Sequence, residues 1–162
     1  MKTEPSREHA WLQQLTGRWR MTADMGASTA PSPPEDAWHE EVRSLGGLWI
    51  VAEGKGEMPE GDGPGTTIMS LGYDPEKKHY IGTFIGSMMT HLWIYEGSLD
   101  ETGKVLTLDC VGPDFETAGR MTRYQDIITL KDADRRTLTS RMQAADGTWK
   151  QVMTANYTRM PD

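Results

Sequence analysis

The sequence predicts an all-β protein: an antiparallel meander of about ten strands closed into a barrel, with a short helix ahead of it. Three observations carry this. Segments rich in Ile, Val, Thr, Tyr, Phe and Trp alternate apolar with polar residues, as a half-buried pleated surface requires. Turn residues separate these segments at regular spacing, with no helical pattern between them to serve as a crossover. Strands this long would expose unpaired edges in an open sheet, and closure removes the edges.

The helix is expected over residues 6–16. Ser6 caps it, Glu8 stands in the first turn where the dipole favours a carboxylate, and Gly17 follows its end. Trp11, Leu12 and Leu15 share one face. Residues 17–23 then alternate as a strand, with Trp19, Met21 and Ala23 on one side. Residues 26–36, GASTAPSPPED, form a proline-broken loop over one mouth of the fold.

Residues 37–45 and 48–58 read as two strands about Gly46-Gly47, a pair suited to a primed hairpin turn. Residues 59–65 loop, and residues 66–73 lead into the central segment, 71–100, around which the meander is organised. Asp74-Pro75 turns its first strand, and after a short break residues 87–96 are expected as a further long strand. Residues 105–112, 120–130, 136–144 and 148–160 complete the set, with turns at 100–103, 131–134 and 145–147. Since no core can form before the proline-rich loop, residues 1–162 are expected to make a single domain.

Lys and Arg total 17 against 24 Asp and Glu, a net charge of −7 with no basic cluster, so nucleic acid and anionic membrane are poor partners. Cys110 is the only cysteine, which rules out an internal disulfide. The longest apolar run, Leu48-Trp49-Ile50-Val51-Ala52, falls far short of the ~20 residues that span a bilayer. The first ten residues, MKTEPSREHA, lack a secretory apolar stretch. A soluble, cytoplasmic protein is expected, and a homo-oligomer is left open.

A short helix, then Gly17-x-Trp19 opening the first strand of a meander, resembles the lipocalin and fatty-acid-binding superfamily, the calycins. That resemblance implies a calycin-like barrel whose tryptophan plugs the floor under an arginine of the last strand, here Arg159. A wider set of words resembles a bacterial family of lipocalin-like domains of unknown function. Among them are His9-x-Trp11-Leu12, Leu45-Gly46-Gly47-x-Trp49, Leu71-Gly72-Tyr73-Asp74-Pro75, Leu92-Trp93-x-Tyr95-Glu96-Gly97 and Tyr157-x-Arg159. It implies a fold rather than an activity. Haem-binding nitrobindin relatives place their histidine ligand late in the chain; the last histidine here is His91, so that function does not carry over.

The four histidines, His9, His39, His79 and His91, show no metal-ligand spacing, and His39-Glu40-Glu41 puts strand neighbours on opposite faces. No metal and no cofactor are expected. There is no G-x-S-x-G elbow, Cys110 reads as a small buried hydrophobe beside Leu106 and Leu108, and Gly61-Asp62-Gly63-Pro64-Gly65 lacks the lysine of a phosphate loop. The best candidate is the face carrying Met89, His91, Trp93 and Tyr95, with Trp49 and with Arg123, which shares its side with Met121 and Gln125. If that face lines the interior, it makes a small-molecule pocket for an apolar or amphipathic ligand with a carboxylate or other polar head. Two other readings stand beside it. One is an enzyme in the same cavity with His91 as general acid or base; the other is a structural or assembly protein with a barrel filled by side chains. The period of two leaves open which face points inward.

Overall fold

The computed structural model describes residues 2–24, 38–58 and 62–161. The proline-rich loop expected at 26–36 lies outside them. α1 spans Arg7–Gln13, shorter than the expected 6–16. Its start is fastened by a histidine in the place a glutamate often takes. The Ser6 backbone N–H donates to His9 Nδ1 at 2.9 Å, so the ring proton sits on Nε2, which donates to the Tyr73 carbonyl at 3.0 Å. One buried ring thereby closes the helix N-terminus and ties it to the sheet. After Gln13 the chain tightens, with the Leu15 N–H bonded to the Leu12 carbonyl at 3.0 Å and Leu15 itself buried. Gly17 then turns it at φ +127°, where an added Cβ would lie 2.5 Å from Arg159 Nη1.

Ten strands follow: β1 (Gly17–Asp24), β2 (Trp38–Leu45), β3 (Trp49–Glu57), β4 (Pro64–Asp74), β5 (His79–Gly86), β6 (Trp93–Leu99), β7 (Val105–Pro113), β8 (Met121–Asp132), β9 (Arg135–Gln143) and β10 (Trp149–Arg159). Each pairs antiparallel with the next, and β10 returns to β1 with Trp19 opposite Arg159, so the barrel closes. Gly46 and Gly47 both take positive φ, 68° and 75°, as a type I′ turn between β2 and β3 needs.

The strand expected over 87–96 is not continuous. β5 stops at Gly86, a turn bonds the Met89 N–H to the Gly86 carbonyl at 3.2 Å, and pairing resumes at Trp93. Met89 and His91 therefore lie in the connection between strands. Apolar alternation runs on through this connection, which is why period alone hid the break.

α1 covers one end of the barrel, where Leu12, Leu15, Trp19, Leu71, Tyr80 and Leu106 are buried. The Trp19 indole donates to the Leu15 carbonyl at 2.9 Å, and the Arg159 guanidinium lies 4.3 Å from its ring centroid. Arg159 also donates to the carbonyls of Thr16 (2.6 Å) and Gln14 (3.0 Å), where the helix leaves acceptors free. This end is a packed floor.

Candidate functional site

Above the floor the interior turns polar. Arg136 of β9 points inward and bonds Glu40 of β2, and both side chains are at least nearly nine-tenths buried. Its guanidinium sits 4.5 Å from the Trp19 ring and 3.9 Å from the Tyr157 ring, two faces that favour a cation. Burial, and then the Glu40 charge, push the Tyr157 hydroxyl pKa up, so it stays a neutral phenol.

Further toward the open end stands Asp126 of β8. The Tyr95 hydroxyl donates to one of its oxygens and the Ser140 hydroxyl to the other. Burial raises its carboxyl pKa, while those two hydrogen bonds pull the other way. Asp126 is deep among protein atoms and yet only half-buried by accessible surface. A side chain facing a narrow lumen has both properties at once. Tyr95, by contrast, is fully buried, and its pKa is pushed far up, first by burial and then by Asp126.

Exposure varies over the rest of the interior as well. Around the floor Leu71, Tyr80 and Leu106 are sealed, while Leu99 and Leu130 keep partial exposure. Toward the open end, Met21, Met69, Phe84, Asp126, Ser140 and Met153 face inward from six different strands and keep partial exposure, whereas Trp93, Cys110, Thr122, Tyr124 and Met142 on the same inner face are buried. Inward glycines leave room for aromatic side chains there. A Cβ on Gly112 would lie 2.1 Å from the Trp93 ring, and one on Gly54 would lie 2.7 Å from the Trp38 indole nitrogen.

Four of the residues singled out in the sequence gather at this end. Trp93 donates through Nε1 to Met89 Sδ at 3.1 Å and packs edge-on against His91, with ring centroids 4.7 Å apart. Tyr95 lies deeper on the same strand. His91 sits at the rim and bonds through Nε2 to the Val111 carbonyl at 2.9 Å. Neither Trp93 nor that carbonyl can relay a proton for it.

Trp49 and Arg123 do not line the interior. Ile50, Ala52 and Gly54 are inward residues of β3, which turns Trp49 outward, 37% exposed, with its ring over Gly72. Thr122, Tyr124 and Asp126 take the inward positions of β8, so Arg123 is exposed on the outer face. Met121 and Gln125 do share that face, where Gln125 links Asp109 (2.8 Å) and Arg141 (2.6 Å). Sequence reasoning missed Asp126, Ser140 and the Glu40–Arg136 pair. The available signal was Tyr124, Ile128 and Leu130 at even spacing, which marks the side of Asp126 as inward.

A hollow of about 760 Å³ lies outside the barrel between α1 and the β4–β5 and β6–β7 turns. Its walls are the contacts that hold α1 in place, including the Trp11 indole bonded to the Gly103 carbonyl at 2.7 Å. It carries no comparable buried charge. Among the described residues no cluster of three or more His, Cys, Asp or Glu is placed to hold a metal ion, and no helix is long and apolar enough to cross a membrane.

Floor, closed meander and partly open interior define the class: a ten-stranded antiparallel β-barrel capped at one end by a helix. Within that class, the chain belongs to the family described as "Protein of unknown function (DUF1579)", whose model matches residues 4–159. No curated protein matches it. Among solved structures it is similar to a redesigned β-barrel, at 12% identity and a TM-score of 0.50, over 97% of this chain and 100% of that one. That likeness concerns fold alone.

Proposed function

We propose that this barrel is a binding module for a small apolar or amphipathic molecule, entering at the end opposite α1. The observation that carries the reading is that Met21, Met69, Phe84, Asp126, Ser140 and Met153, inward from six strands, stay partly exposed inside the closed barrel. A barrel of this size holds either packed side chains or one small ligand, and partial exposure inside favours the second. Met21, Met69 and Met153 supply deformable walls, and Trp93 and Phe84 supply flat ones. Met89, His91 and Trp93 would line the way in, with His91 at the entrance and Tyr95 behind them holding Asp126. The floor, Trp19 under Arg159, favours a lipocalin-like relationship, as in a bacterial family of such domains. A cytoplasmic setting suits Cys110, a buried free thiol.

The test is titration with 1-decanol, an uncharged amphipath, followed by tryptophan emission. A saturable change is expected, and Trp93→Phe should lose most of it. If wild type shows no saturable change and native mass spectrometry of the purified protein finds no retained small molecule, the binding reading fails.

A further inference from the structure

We propose that the ligand presents a positively charged amine at its inner end, held by the Asp126 carboxylate. This rests on the reading of the lumen as a ligand site. Among the described residues, three charged side chains point into the barrel beyond the Trp19 floor: Glu40, Arg136 and Asp126. Glu40 and Arg136 neutralise each other. Asp126 is left over. What acts on it is desolvation and two hydroxyl donors, with no cation. Each of its oxygens accepts one hydrogen bond, from Tyr95 or from Ser140, which leaves each a lone pair for a further donor.

A carboxylate that is deep, held in place and without a counter-charge is costly unless something pairs with it. Its pKa is raised for that reason, and a bound ammonium would supply the missing charge. The surroundings suit such a ligand. Methionine and aromatic walls accept an alkyl or aryl body, and ring faces tolerate a cation beside them. An acidic head group, the alternative raised by the sequence, finds no matching cation inside among the described residues. Arg123 is on the outer face, Arg136 is already paired, and His91 stands at the rim bonded to Val111.

The experiment compares three probes with the same chain, decylamine, 1-decanol and decanoate, against wild type and Asp126→Asn at neutral pH. Wild type should bind the amine about tenfold or more tightly than the alcohol, with decanoate weakest, as a charge-assisted hydrogen bond predicts. In Asp126→Asn the amine should fall to the level of the alcohol. Equal affinity for amine and alcohol in wild type overturns the proposal, as does tightest binding of decanoate. An amine preference that survives in Asp126→Asn also overturns it, since the acidic surface would then be its source. If none of the three probes binds, the lumen reading falls and takes this proposal with it; if decanol binds without an amine preference, only this proposal falls. Should Asp126→Asn fail to fold, the wild-type order at about 0.5 M salt decides, because salt screens surface charge far more than a buried pair. Loss of the preference in salt then overturns the proposal.

Discussion

Glu40→Gln tests how the upper side of the floor is held together. Glu40 and Arg136 have side-chain exposures of only 11% and 5%, so neither charge can reach water without moving the strands that carry it. Taking away the carboxylate leaves the guanidinium clasped between Trp19 and Tyr157 with no counter-charge. Breaking a buried pair from one side costs about 3–5 kcal/mol. Glutamine keeps an acceptor for Arg136 Nη2, which places this substitution near about 3 kcal/mol, and Glu40→Leu, which keeps none, near about 5 kcal/mol. In a chain of this length each kcal/mol shifts Tm by about 2–4 °C, so Glu40→Gln should melt about 6–12 °C lower. The assay is thermal unfolding followed by circular dichroism. Glu40→Leu combined with Arg136→Met should recover most of the loss, because an apolar pair needs no counter-charge. A drop below about 2 °C for Glu40→Gln, or a double variant whose loss is the sum of the single losses, would refute the claim that the pair is buried and coupled.

Three further predictions concern other parts of the barrel. Because burial raises the Asp126 pKa, the folded state holds its proton to higher pH than the unfolded chain does. Its contribution to stability is thus lost as pH rises from about 3.9 through the folded value, and the urea midpoint of Asp126→Asn should gain on wild type between about pH 4 and pH 7. Parallel midpoints would show that Asp126 is not desolvated. The Cys110 thiol, pushed up to about 12 chiefly by burial, should react with a disulfide reagent at pH 8 on the order of a thousandfold more slowly in the folded protein than in denaturant. Comparable rates would place it at the surface. Trp19→Ala removes a tryptophan that is 1% exposed and should cost about 3–5 kcal/mol in a denaturant melt; an unchanged melt would contradict its role as floor.

The strands and turns were legible in the sequence because each rests on local chemistry. Gly46-Gly47 takes the two positive φ angles that only a primed turn demands, and Asp74 accepts the Glu76 N–H at 3.0 Å as aspartate does at a turn. The floor was legible too, since Trp19 near the start of the chain and Arg159 near its end can meet only if the barrel closes. Orientation was the harder matter. On β8 both faces carry large apolar residues, Met121 and Ile127 on one and Tyr124 and Ile128 on the other, so the pattern sets the side of Asp126 only weakly apart from that of Arg123. On β3, Trp49 is expected to line the interior and stands outside. Its place there depends on Gly72 of the neighbouring strand, a contact that spacing along the chain cannot show. The Glu40–Arg136 pair joins residues 96 positions apart and has no local signature.

The central claim, that the lumen takes a ligand, is tested most directly by methyl NMR of protein labelled at its methionines. Met21, Met69 and Met153 face the lumen, whereas Met121 is 52% exposed on the outer wall. Adding 1-decanol should shift the first three signals in a saturable, concerted way and leave Met121 in place. Shifts confined to Met121, or no saturable shift at Met21, Met69 and Met153, would contradict it.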